Sequence, residues 1–140
     1  IMVKIFKLIF LIIFISTPLY GKNDYFQEGI NLFKNKKFTE AKFKFEQDIV
    51  FNPKSELSYL YLSKIFKNLD KKGLQEHNLN TVILLNPNNE EAIFNLAKLK
   101  LESSDYKKSK ELNDKLRSFC NKFCNESKKL KIEIENLLKR

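Results

Sequence analysis

The chain has 140 residues, only three Gly and three Pro, and a formal charge of +9 from 26 basic and 17 acidic residues. That length bounds it to one modest domain, and the shortage of turn formers beside abundant Lys, Leu, Ile, Phe, Asn and Glu favours helices. Basicity raises nucleic-acid binding, but Arg117 and Arg140 are the only Arg residues and acidic residues are interleaved throughout; planar guanidinium groups read phosphates and base edges best, so no nucleic-acid partner is expected.

The chain opens on a basic stretch with Lys4 and Lys7, then runs from Leu8 to Ile15 without a polar residue, then reaches Ser16-Thr17-Pro18-Leu19-Tyr20-Gly21. This order of basic, apolar and helix-breaking parts is that of an export signal covering residues 1–21. A spanning helix needs about 20 mostly apolar residues, and Pro18 interrupts this run. Three readings stand: a signal cut after Gly21, giving a periplasmic or secreted protein; an uncleaved anchor formed by residues 5–20 in the inner membrane; or, least favoured, a buried core helix. Without Lys4 and Lys7 the charge falls from +9 to +7.

From residue 22 the sequence repeats. Val50-Phe51-Asn52-Pro53 and Leu84-Leu85-Asn86-Pro87 match at a separation of 34 residues, and a third unit at that period ends near Phe119-Cys120-Asn121. Within the first unit Phe26, Ile30, Phe33, Phe38, Ala41, Phe45 and Ile49 recur at helical spacing. Each unit is thus predicted to be two antiparallel helices. The turns inside units fall at Asn35-Lys36-Lys37, Asp70-Lys71-Lys72-Gly73 and Ser103-Ser104-Asp105. Between units the chain turns at Asn52-Pro53-Lys54-Ser55 and Asn86-Pro87-Asn88-Asn89, where Ser55 or Asn89 would cap the next helix and Glu90 and Glu91 would favour its positive end.

The pattern resembles the tetratricopeptide repeat family over about residues 22–121, in units 22–55, 56–89 and 90–121. Gly29, Ser63 and Ala97 fall at the eighth position, which that family keeps small for close helix approach; Tyr25, Tyr59 and Ile93 are bulky at the fourth. Ala41 and Ser109 keep the twentieth position small, but Gln75 does not, and Lys72 stands where an aromatic is usual, so the second helix of unit two departs most. Asp48 and Asn113 occupy positions that are usually apolar or small. The resemblance implies an all-α, right-handed α-solenoid of three hairpins. Residues 126–139, with Leu130, Ile134, Leu137 and Leu138 on one face, would be its polar-backed capping helix.

No catalytic constellation is present. His77 is the single His and is expected on an outer helix face, the three Gly are scattered, and Glu90-Glu91 is a helix start. Neither an enzyme nor a cofactor or metal site is therefore expected. Cys120 and Cys124, four residues apart, fit a local disulfide in an oxidising compartment, two free thiols, or a soft-metal pair such as one for Cu(I).

The family's geometry places the first helix of each unit on a concave side. There it would present Phe26, Ile30, Phe33, Leu60, Phe94 and Leu101, with a basic row of Lys34, Lys64, Lys67 and Lys98; Asn23, Leu57, Asn68, Glu91 and Glu102 complete the face. The family's clamp for peptide carboxyl termini is not implied, because Phe26, Ile30, Glu91 and Asn95 stand at its positions. The expectation is a non-enzymatic scaffold or adaptor of the cell envelope that binds another protein, an acidic peptide or a helix, through this face. The alternatives are a membrane-attached assembly factor, if the N-terminal segment is uncleaved, and a lysine-mediated polyanion binder.

Overall fold

The computed structural model describes residues 24–139; the expected signal or anchor at 1–21 lies outside them. Seven helices and no strand occur among the described residues: α1 (Tyr25–Lys34), α2 (Phe38–Phe51), α3 (Glu56–Asn68), α4 (Lys72–Leu85), α5 (Glu90–Glu102), α6 (Tyr106–Arg117) and α7 (Cys124–Leu138). α1 packs on α2, α3 on α4 and α5 on α6, and the hairpins join through α2–α3 and α4–α5. α7 closes the array against α6, with Leu130 and Ile134 buried. Leu138, expected on the same apolar face, is exposed at the helix end. None of these helices is long and apolar enough to cross a membrane.

The turns inside the three hairpins are built alike. Lys36, Asp70 and Ser104, spaced by the repeat, adopt left-handed φ values of 59°, 52° and 62°. In the first turn Lys37 N–H donates to Leu32 O and Lys36 N–H to Phe33 O; the same pair recurs as Lys71 to Phe66 with Asp70 to Lys67, and as Asp105 to Lys100 with Ser104 to Leu101. These paired bonds satisfy carbonyls that a helix end would leave open. Gly73, expected in the second turn, instead lies inside α4, because the turn closes at Lys71 and leaves Gly73 in the first helical turn. Asn89 and Asp105 cap α5 and α6 by accepting from Ala92 and Lys108 N–H, as Asp24 does for α1 from Gln27. Ser55 makes no such cap: its hydroxyl donates to Ser58 Oγ, which in turn bonds the Asp48 carboxylate.

The small eighth positions sit where helices cross. A Cβ on Gly29 would lie 2.8 Å from the Phe45 ring, and Ser109 Oγ donates to Ala97 O at 2.8 Å across α5 and α6. The glutamates that open units two and three reach forward to the next turn. Glu56 accepts from the Asn86 and Asn89 side chains, and Glu90 from the N–H groups of Asn121, Lys122 and Phe123 at 2.8–2.9 Å. The Phe123 N–H, helped by its two neighbours and the Lys122 charge, holds the Glu90 carboxyl below the ordinary glutamate range. Glu90 thus ties the start of the third unit to the turn that leads into α7, beyond the helix-start role expected of it.

Candidate functional site

Helices α1, α3 and α5 share one open recess of ≈ 330 Å³. Phe33 comes from α1; Ser63, Lys64, Lys67 and Asn68 from α3; Glu91 and Asn95 from α5; α4 adds Gln75. Three successive hairpins thus contribute to one depression because their first helices lie side by side. Gln75, too large for its position in the repeat pattern, is only 6% exposed and lines the recess beside Ser63.

The recess is electrostatically uneven. Lys64 Nζ lies 2.8 Å from Glu91 Oε1 and 4.9 Å from the centre of the Tyr61 ring, which ties α3 to α5. Asn68 is anchored through its Nδ2 to Lys64 O at 2.9 Å. Among the described residues Lys67 has no carboxylate partner, and the side-chain amides of Gln75 and Asn95 make no hydrogen bond. A free ammonium and two free amides therefore lie beside the Phe33 ring. An ammonium offers three donors, and an amide both donates and accepts, so this set can meet a carboxylate and a stretch of polypeptide backbone together.

Of the residues expected on this face from the sequence, Phe33, Lys64, Lys67, Asn68 and Glu91 line the recess. The others are placed elsewhere, apart from Asn23, which lies outside the described residues. Ile30, Leu60 and Leu101 are buried in the core and present no side chain for a partner. Phe26 packs between Phe45 and Tyr61, and Phe94 lies against Phe123 with ring centres 5.4 Å apart. The cause is the close packing of the first helices against their neighbours: burial between helices is worth about 25 cal/mol per Å², and these positions lie where adjacent helices meet. Lys34 is exposed and Lys98 half-buried, both outside the recess lining. Lys64 is neutralised by Glu91, which leaves Lys67 as the cation of this site. Asn95, which stands at one of the family's clamp positions, also lines the recess, whereas Ser63 and Gln75 were not expected there.

Cys120 and Cys124 are joined by a disulfide, with Cα atoms 5.3 Å apart, where α6 leads into α7. His77 is exposed on α4. No group of three or more metal-ligating side chains occurs among the described residues.

No family model and no curated protein sequence matches the chain. Its fold is that of tetratricopeptide repeat domains: the chain is similar to the TPR2B domain of yeast Sti1 in its pHsp70 complex, with a TM-score of 0.73, 17% identity, and coverage of 81% of this chain and 95% of that one. It is likewise similar to the first TPR of Spaghetti (RPAP3) bound to the HSP90 peptide SRMEEVD, with a TM-score of 0.73 at 17% identity, covering 81% of this chain and 92% of that one. A third similar structure is the Yersinia enterocolitica type III secretion chaperone SycD with a peptide of the translocator YopD, with a TM-score of 0.73 at 16% identity, covering 83% and 92% of the two chains. At these identities the likeness establishes the all-α solenoid fold.

Proposed function

We propose that this chain is a non-enzymatic protein-binding scaffold of the cell envelope, which takes a peptide or one face of a helix, carrying an acidic side chain, into the recess between α1, α3 and α5. The observation that carries the reading is the free Lys67 ammonium beside the uncommitted amides of Gln75 and Asn95, next to the Phe33 ring. Peptides in the similar Spaghetti and SycD structures support the same class of ligand. An apolar ring would supply the anchor and the lysine the charge recognition and association rate.

Selection of a displayed peptide library against the full chain tests it. Recovered peptides should pair an apolar residue with an acid, and Lys67→Glu should weaken them by about tenfold, near 1.4 kcal/mol, with helicity unchanged. Lys107→Glu with Lys110→Glu on α6 is the control. Peptides that survive Lys67→Glu and are lost with the control place binding on the other side and refute the assignment.

Export by residues 1–21 is part of the proposal, and where that segment stays uncleaved residues 5–20 hold the domain at the membrane. Lys4, Lys7 and the Leu8–Ile15 run support it. A fusion of residues 1–30 to a reporter active only outside the cytoplasm should give signal, and a silent fusion of a folded reporter refutes it.

A further inference from the structure

Gln75 reaches the recess from α4, a second helix, whereas the other lining residues come from α1, α3 and α5. Only 6% of its surface is exposed. Its amide makes no hydrogen bond. Neither amide atom is sealed off, since Gln47 Oε1 is the only buried side-chain nitrogen or oxygen without a partner among the described residues. The Gln75 amide therefore opens into the recess that the residue lines. The neighbouring neutral groups are partly spent: Ser63 Oγ donates to Leu60 O at 2.7 Å and Asn68 Nδ2 to Lys64 O at 2.9 Å, both within α3. Asn95 on α5 is uncommitted like Gln75, but only half-buried.

A primary amide presents a donor and an acceptor side by side. A ligand that covers the recess must offer the complement, because a buried polar group left unpaired gives back much of the binding energy. One N–H and one C=O of a main chain supply that complement. A helix does not offer them from its flank, since its interior N–H and C=O groups bond each other. An extended segment keeps both free on every residue except Pro.

We infer that the recess holds its ligand as an extended segment, with the Gln75 amide bonding the main chain and Lys67 meeting an acidic side chain of the same segment. The inference rests on the recess being the binding site, and it chooses the peptide over the helix as the form of the ligand. Main-chain bonds grip any sequence alike, so Phe33 and Lys67 are left to select the side chains.

Linear peptides selected from a random displayed library on the full chain are the probes. Each is remade with single amide-to-ester replacements, which remove one N–H and weaken one C=O as an acceptor. Gln75→Met keeps a flexible side chain of similar length without the amide, and Gln75→Leu serves in its place where Met disturbs the fold. Gln75→Met should weaken the peptides by about tenfold at unchanged helicity. One ester position should cost about tenfold in the wild type and nothing in Gln75→Met, a coupling that a packing role for Gln75 would not produce. Peptides weakened by Lys67→Glu but unmoved by Gln75→Met overturn the main-chain contact and leave the recess reading standing. Peptides sensitive to Gln75→Met at which every ester is silent are read through a side chain, and they overturn the contact too, as does a peptide that turns helical on binding. Peptides unmoved by both substitutions, or an empty selection, overturn the recess reading and this inference together.

Discussion

Asn113 and Ser127 exchange hydrogen bonds inside the core: Asn113 Nδ2 donates to Ser127 O at 3.0 Å, and Ser127 Oγ donates to Asn113 Oδ1 at 2.7 Å. Both side chains are buried, and the pair docks α7 on α6. A buried polar group that loses its partner costs about 1–3 kcal/mol, while replacing both partners with apolar groups is close to neutral. Asn113→Leu and Ser127→Ala should each destabilise by about 1–3 kcal/mol, and the double variant should recover most of the loss. Urea denaturation of the cycle measures this; additive losses would contradict the coupling.

The same substitution at two glycines should act with opposite sign. Gly29→Ala pushes a methyl into the Phe45 ring, which is itself stacked on Tyr61 with centres 5.0 Å apart. Overpacking costs about 1–3 kcal/mol, more than the ~1 kcal/mol of helix propensity gained, so the melting temperature falls, and Gly29→Leu should lower it further. A Cβ on Gly73 meets nothing within 4 Å, so Gly73→Ala should stabilise by about 0.5–1 kcal/mol. Calorimetry of the variants decides both signs.

The left-handed turn residues give a graded series. A non-Gly residue there costs about 1–2 kcal/mol, less for Asp, and Gly gives part of that back through the entropy of the unfolded chain. Lys36→Gly and Ser104→Gly should each raise stability by about 0.5–1 kcal/mol, with Asp70→Gly smallest of the three. Equal gains at all three sites, read by denaturant midpoints, would contradict this account of Asp70.

Glu90 predicts a pH dependence. Its folded pKa is depressed, chiefly by the Phe123 N–H. Its contribution is therefore fully present above the ordinary glutamate pKa and is lost as pH falls through the depressed value. Glu90→Gln should lower the melting temperature at neutral pH, and the gap to wild type should narrow below about pH 4. A gap that widens on acidification would reverse the sign.

The repeat was legible because helix crossing constrains residue size at fixed intervals: Pro53 and Pro87 mark the period, and Gly29, Ser63 and Ala97 mark the close approaches. The concave face was legible as a set of helical positions. Which of its members face water was not. Leu60 and Lys64 lie one helical turn apart on α3, yet one is buried and the other reaches Glu91, and that choice depends on where α5 sits. Asp48, Gln75 and Asn113 looked like defects in the pattern. Asp48 and Asn113 find partners on the following helix, and Gln75 borders the recess. Pairings of this kind depend on the distance between elements, which local periodicity does not encode.

Helix α3 belongs to two cores at once. Its Leu62, Ile65 and Phe66 pack with Ile30, Ala41 and Phe45 of the first hairpin, while its Leu60 joins Leu79, Val82, Ile93 and Leu96 in the larger cluster that runs on to Leu130 and Ile134. Solenoid stability is close to a sum of nearest-neighbour terms, so this seam divides the molecule into two cooperative opening units. Amides of α1 and α2 should exchange with deuterium through partial openings that leave α5 to α7 closed. The recess straddles the seam, with Phe33 on one side and Glu91 and Asn95 on the other. A ligand seated there would fuse the two units, and its binding would slow exchange throughout the first hairpin, including amides it never touches.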